Sequence, residues 1–430
     1  MFDYCSLLCA ILALVIPVSS MAQSLADSVR SALVQYPTIL AAQAAQASAD
    51  WDITRAQGAH WPQVAWSGAY SAYNSGNVAN NWIQSPTVSV NLWAGGRIES
   101  EVNKSRANAD GARLNSVVTK DLVALQAVQA YLGWARALEL LKVSNENVQA
   151  HQKIRSYLMN IVQQDPGRRT DLEQVNARLE GARLLHQQNQ ASLSAAIERL
   201  QRLLLGRLPL HATGMDELYG TVPATLDQAM DFAQDSNPVI AQQIAAVSAA
   251  KANVKIARSQ FHPQVNATYG KQTYQGSGQG DYVGQLVVSI PIVQGGTAYG
   301  ATQAASASLQ AAEYLLQDTK LTLRENLRTA WLNWSTADQR IKTIQAQLEF
   351  GRSMLSGYWS QYEIGRRQIT DLLNAQSDFY NYRAASVAMR YERLSDRAIV
   401  LKHTGQLALS YQRASPDGAT PAVGRNTVSP

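Results

Sequence analysis

The 430-residue chain has almost no cysteine: only Cys5 and Cys9, both within the first ten residues. Beyond them, neither a disulfide framework nor a cysteine-ligated metal can form. Charge is sparse as well, at 16% of residues, and 37 Lys and Arg against 32 Asp and Glu give a formal charge of only +5. It is spread along the chain, without the dense basic block that nucleic-acid binding would require. Phe is rare, with 5 residues beside 18 Tyr and 9 Trp. The six His show no metal-binding spacing such as HExxH. No Ser/His/Asp or Cys/His constellation suggests an enzyme, and no cofactor or metal is expected. Long apolar runs are missing too. No segment after residue 22 approaches a transmembrane helix, so any insertion into a membrane must be as β-strands.

Residues 7 to 18, LLCAILALVIPV, form one apolar run, too short to span a bilayer. Ser20, Met21 and Ala22 follow as small-residue cleavage signals, so residues 1–22 read as a secretory signal peptide cut before Gln23. Asp3 precedes the run where basic residues are usual. Cleavage would remove both cysteines, and with them any N-terminal lipid on cysteine.

What the chain does contain is an internal duplication. Leu25 to Leu40 matches Leu226 to Ile240, with Pro37 and Pro238 at the first position of a helix, where the missing N–H costs nothing. HWPQV at 60–64 matches FHPQV at 261–265, and SVNLWAGG at 89–96 matches SIPIVQGG at 289–296. YLGW at 131–134 matches WLNW at 331–334, and Gly167-Arg168-Arg169 with Asn176-Ala177 matches Gly365-Arg366-Arg367 with Asn374-Ala375. The offset stays between 198 and 201, which chance explains poorly. The first repeat spans 23–205 and the second 225–410, joined by a linker at 206–224; residues 411–430 read as a disordered tail.

Each repeat reads as helix, two strands, very long helix, turn, long helix. The first carries helices at 37–60, 97–163 and 169–205 and strands at 64–73 and 82–92. The second carries helices at 238–261, 297–361 and 367–409 and strands at 264–274 and 282–292. Val88, Val90 and Leu92 share one strand face, as do Leu286, Val288, Ile290 and Ile292, while Thr87, Ser89 and Asn91 or Gln285, Val287 and Ser289 take the other. Polar loops at 74–81 and 275–281 join the strands; Gly276, Gly278 and Gly280 lack the spacing of a phosphate loop. Strands of this length suit a tilted membrane strand. Gly95, Gly96, Gly295 and Gly296 fit strand-to-helix bends that need positive φ or close approach. Residues 97–163 hold no Pro and glycine only at 111 and 133, which predicts a helix of roughly 100 Å. Val118, Leu122, Leu125, Val128, Leu132, Leu138 and Leu141 form its apolar stripe. On the last long helix Leu372, Ala375, Phe379, Tyr382, Ala385 and Met389 do the same. Trp134 and Trp334 read as packing anchors.

Four strands cannot close a membrane barrel, and lipid forbids an open sheet edge. If the strands insert, chains must share one barrel: two chains give eight strands, three give twelve.

The duplicated plan, the LWAGG and IVQGG segments, and the turns GRRTDLEQVNAR and GRRQITDLLNAQ resemble the TolC family of outer-membrane factors over about residues 24–410. That resemblance implies a mainly α fold with a small transmembrane β part. Three chains would build a twelve-stranded barrel in the outer membrane of a Gram-negative bacterium and a long α-helical coiled-coil tunnel in the periplasm. It further implies a passive exit duct as a homotrimer set in outer-membrane lipid. Its partners would be a periplasmic membrane-fusion adaptor and an inner-membrane ABC transporter, or a pump of the resistance–nodulation–division type. Carried over residue by residue, the periplasmic constriction falls on Tyr362, Arg367, Asp371 and Asn374. Glu173 is its counterpart in the first repeat, with Asp171 two residues earlier. Asn374 stands where an acidic residue is common. The turn residues Gly167, Arg168, Gly365 and Arg366 would meet the adaptor. Arg367, Asp371 and Asn374 also lie at helical spacing on one face.

Within that family, the absent lipidation cysteine and the GRRTDLEQ turn point to protein export through a type I system. Small-molecule efflux is the alternative, and a soluble periplasmic coiled-coil adaptor a further one.

Overall fold

The computed structural model describes residues 24–71, 81–209, 211–214, 218–273 and 280–413. The expected signal peptide, loop residues 74–80 and 275–279, and tail residues 414–430 lie outside them.

The chain runs through α1 (Leu25–Gln35), α2 (Pro37–Gln57), β1 (Gln63–Ser71), β2 (Asn81–Trp93), α3 (Arg97–Gln164) and α4 (Arg169–Leu203). The same order recurs as α5 (Leu226–Ser236), α6 (Pro238–Arg258), β3 (Gln264–Thr273), β4 (Gly280–Ser289), α7 (Thr297–Glu363) and α8 (Ile369–His403), and a short α9 (Leu407–Arg413) closes the chain. Corresponding helices have nearly equal lengths, 68 and 67 residues for α3 and α7 and 35 each for α4 and α8. At 1.5 Å per residue, α3 is a rod of about 100 Å.

Local signals start the helices. Ser24 and Asp27 form a reciprocal capping box on α1, and Pro37 and Pro238 occupy the first turns of α2 and α6. Gly95 and Gly96 (φ +63° and +81°) precede α3, and Gly295 and Gly296 (φ +55° and +83°) precede α7. Gly95 is also sterically required, since a Cβ there would meet the His262 Cβ at 2.5 Å.

The four strands form one antiparallel sheet in the order β1-β2-β3-β4. Its register sorts the faces by polarity. Val64 pairs with Val88 and Val88 with Tyr269, and in the next row Val90 pairs with Ala267 and Ala267 with Leu286. Trp66, Val64, Tyr269, Leu286 and Val288 on this face are 54 to 79% exposed. The opposite face pairs Ser89 with Thr268 and Asn91 with Asn266, whose side chains hydrogen-bond at 2.7 Å. One face is thus mainly apolar, with Lys271 as an exception, and the other mainly polar, with Val287 as one; among the described residues β1 and β4 each leave an edge without a partner strand.

Two expected spans end early. The strand at 282–292 stops at Ser289, because Pro291 has no N–H to give the ladder. The helix at 367–409 starts at Ile369 and breaks after His403, where Gly405 takes φ +71° against Pro238. Its last turns form the separate α9, which includes Tyr411. That residue is fully buried, so the expected tail does not begin at 411.

The core gathers around α3. Val123, Ala127, Val128, Tyr131 and Ala135 pack with Leu25, Leu200, Leu401 and Leu407. The expected stripe is misplaced at Leu122 and Leu138, which are 45% and 42% exposed. Alanines carry the burial instead, because α3 is enclosed by several helices rather than by one seam. The 206–224 linker is pinned to the core. Tyr131 Oη donates to the Thr213 carbonyl at 2.8 Å and accepts from the Thr213 N–H at 3.0 Å. α7 is different: eight of its 67 residues are buried, against 23 of 68 in α3. Tyr299, Tyr314, Leu315, Leu321 and Phe350 on α7 are all more than half exposed.

Candidate functional site

The ends of α3 and α7 farthest from the sheet meet the starts of α4 and α8. A compact apolar cluster joins the two turns: Ile154, Leu158, Val175, Tyr362, Ile369, Leu372 and Leu373 are each at most 4% exposed. Tyr157 packs at a tilt against Trp359 and Tyr362, at 5.8 and 6.0 Å between ring centres. This cluster gives the polar residues around it a fixed base.

Arg367 is held from three sides. Its Nη1 lies 3.4 Å from Asp371 Oδ2, its Nε donates to Gln361 Oε1 at 3.0 Å, and its guanidinium sits 4.0 Å from the centre of the Tyr358 ring. Both ion-pair partners are partly exposed, so the pair alone contributes less than about 1 kcal/mol. Asn374, on the same face of α8, accepts from Arg178 of α4 at 3.2 Å. Thr370 donates to Gln174 of α4 at 3.2 Å. Three of the residues picked out in α8 and its preceding turn therefore stand together, and these two bonds tie the start of α8 to α4.

The turn of the first repeat is a short 3-10 segment, Pro166–Arg168, capped by Asp165, whose carboxylate accepts from the Gly167 N–H at 3.1 Å. Asp165 also pairs with Arg168 at 3.7 Å. Between the two turns lies a cleft of about 490 Å³ lined by Arg168, Asp171, Tyr362, Arg366 and Arg367, together with Gly365 and residues 368–370. Burial raises the Tyr362 phenol above its ordinary value of 10.0; Arg168 opposes that shift and Asp171 adds to it. Asp171 therefore lines the cleft, whereas Glu173 is exposed outside it. Gly365 takes φ +72°, which ends α7 sharply; Gly167 has no such requirement.

Sequence reasoning missed Arg178, Gln174 and Tyr358. Arg178 follows the repeated Asn-Ala pair by one residue, but its partner is 196 positions away and nothing local marks it. Among the described residues no group of three or more His, Cys, Asp or Glu is placed to hold a metal ion, and no helix is long and apolar enough to cross a membrane.

The outer membrane efflux protein family matches residues 29–206 and 230–406, one stretch in each repeat. The chain belongs to that family. This is the TolC family its turns resemble, and the chain is accordingly an outer-membrane export channel and not an enzyme. Membership sets aside the soluble adaptor. Among curated relatives, the alkaline protease secretion protein AprF of Pseudomonas aeruginosa is 23% identical over 66% of this chain. That match spans 61% of AprF's own length. The outer membrane efflux protein BepC of Brucella suis is also 23% identical, over 87% of this chain and 84% of its own. The Campylobacter jejuni CmeC outer membrane channel superposes with a TM-score of 0.78 at 18% identity, covering 89% of this chain and 85% of that one. It shares the long helices and the open four-stranded sheet.

Proposed function

We propose that three copies of this chain form the exit duct of a tripartite efflux machine that passes small molecules from an inner-membrane pump, through a periplasmic adaptor, to the exterior. One observation carries the reading: a four-stranded sheet, apolar on one face and polar on the other, with both edges unpaired, stands on helices of about 100 Å. In lipid those edges need partner strands, and three copies supply a closed barrel of twelve. The exposed apolar residues of α7 would be covered by the same association. The tip would be the constriction. There Arg367, Asp371 and Asn374 would recur around a threefold axis, where charges in a narrow water-filled ring act together. With Asn374 neutral, cations would bind more weakly at that ring than where an acid stands. The turns at Gly167, Arg168, Gly365 and Arg366 would meet the adaptor.

Efflux is preferred over the type I protein export expected above. The family's own description is efflux, and the relative matched over more of its length, BepC, is named for it. Protein export stays as a second reading because AprF is named for secretion of a protease.

Fractionation followed by unheated gel electrophoresis of detergent-extracted outer membrane tests the assembly. A heat-labile band at three times the chain mass supports it; a monomer in the soluble periplasmic fraction overturns it. Loss of solute tolerance on deletion, with secreted protein unchanged, would separate efflux from protein export.

A further inference from the structure

Charge is almost absent from the sheet and its loops. Residues 63–96 hold no Asp, Glu, Lys or Arg, and residues 264–296 hold one of each sign, Lys271 and Asp281. The register parts the two. Lys271 pairs with Tyr282 on the apolar face, and Asp281 pairs with Gln272 on the polar face. Lys271 is the one charged residue on the apolar face of the described strands, and it makes no ion pair or hydrogen bond there. The loops that join the strands hold no acid, and neither does β1 or β2, so a second copy joining at a sheet edge brings no carboxylate to that face. A cation facing lipid is costly when no counter-charge reaches it.

The neighbours of Lys271 fix its depth. Tyr282, Leu286, Val288, Ile290 and Ile292 are all more than half exposed. The ten residue steps from Ile292 to Tyr282 cover about 33 Å of extended chain, or roughly 25 Å of height at a tilt of about 40°, the whole apolar band of an outer-membrane barrel. Lys271, opposite Tyr282, therefore stands at the outer boundary of that band, at the end of the strands away from the helices. The rings of Tyr269 and Tyr282 stack at the same level, 5.8 Å apart and 18° from parallel. Aromatic side chains of this kind gather where a membrane meets water.

We propose that Lys271 docks the phosphate of an anionic lipid in the outer leaflet, one lipid per chain and three around the barrel. The apolar stem of the lysine crosses the level of the tyrosines, and the ammonium meets the headgroup. The lipid phosphate supplies the counter-charge that the strands and their loops withhold. Because β3 lies inside the sheet, away from the edges where copies join, each chain carries a whole site. The proposal rests on the reading of the sheet as barrel wall.

Native mass spectrometry of the detergent-solubilised full chain, titrated with phosphatidylglycerol or phosphatidylcholine at constant ionic strength, tests it. The wild-type trimer is expected to retain phosphatidylglycerol in preference. The preference should fall about fivefold per site in Lys271→Gln, the share of one lysine at an anionic surface, and should persist in Lys271→Arg. Lys271 makes no bond within the fold, so both variants should assemble. Equal retention of the two lipids by the wild type, or an unchanged preference in Lys271→Gln, overturns the lipid site and leaves the barrel standing. Excess inorganic phosphate should not displace the lipid; displacement would show that a free anion suffices and would overturn the lipid assignment. A chain that forms no heat-labile trimer overturns the barrel, and the site with it.

Discussion

Arg178 on α4 reaches Asn374 on α8 across 3.2 Å, joining the two repeats beside the tip. An aspartate at 374 would turn this neutral acceptor into a charged one and strengthen the bond. The site is exposed, so the gain stays below about 1 kcal/mol per chain. Asn374→Asp is expected to lower single-channel conductance and Arg178→Ala to raise it. Equal conductance in all three proteins would remove this bond from the constriction.

Arg367 and Asp371 share one interaction, so their effects should not add. Arg367→Ala, Asp371→Ala and the double variant are all expected to raise conductance in planar bilayers. The double variant should rise no further than the stronger single one. Additive increases would mean that the two side chains act on separate contacts.

Far from the tip, Asp121 and His403 predict opposing responses to pH. Asp121 is 3% exposed, and its Oδ1 accepts from the Ala408 N–H at 2.8 Å. Burial lifts its carboxyl from 3.8 to about 6, against the pull of that bond and of Lys402. Between those values the folded chain holds more protons than the unfolded one, so stability falls as pH rises from about 4 to 6. Burial, aided by Lys402, pushes His403 from 6.5 down to about 4. There the unfolded chain holds more protons, so stability falls as pH drops through nearly the same window. Each slope amounts to at most ~1.4 kcal/mol for every pH unit crossed. The wild type should melt at nearly constant temperature from pH 6.5 to 4. Asp121→Asn should lose stability on acidification and His403→Gln should gain it. Parallel curves for all three would refute the pairing.

The sheet's two faces should tolerate charge unequally. Leu286→Arg places a cation on the apolar face, at roughly 2–4 kcal/mol if that position lies at mid-bilayer. Thr268→Arg points it to the polar side. The first should reduce the heat-labile assembly recovered from outer membrane, and the second should not. Equal recovery would reverse or erase the assignment of faces.

Gly95→Ala should destabilise more than Gly96→Ala. Both need positive φ, at about 1–2 kcal/mol for a residue with a Cβ. Only at Gly95 does the new methyl meet His262, at 2.5 Å, where overpacking adds roughly 1–3 kcal/mol. Thermal melting of the two variants ranks them, and the reverse order would show that His262 yields.

Much of the fold could be read without coordinates because it is written twice. A proline-free stretch, a Gly-Gly bend and an alternating strand each appear at one offset, so weak signals reinforce one another. Errors arose where one residue overrides a pattern. Pro291 stops β4 although apolar alternation continues to Ile292. Gly405 splits off α9 although helix-forming residues follow. The stripe on α3 differs for another reason: a helix enclosed on several sides is not bound to one seam, and it buries alanines while Leu122 and Leu138 stay exposed. At the tip, helical spacing was enough to unite Arg367, Asp371 and Asn374. That Asp171 rather than Glu173 lines the cleft follows from the cross-repeat packing around Tyr362, which no local sequence feature encodes.

The length of α3 sets how the two ends of the molecule can influence a passing solute. At 0.15 M salt an exposed charge is felt over about 8 Å, and the tip and the sheet lie roughly 100 Å apart along that helix. A charge at one end is electrostatically silent at the other. The duct then behaves as two independent filters in series, whose resistances add. A substitution at the wider filter would leave conductance almost unchanged until the narrower one is opened.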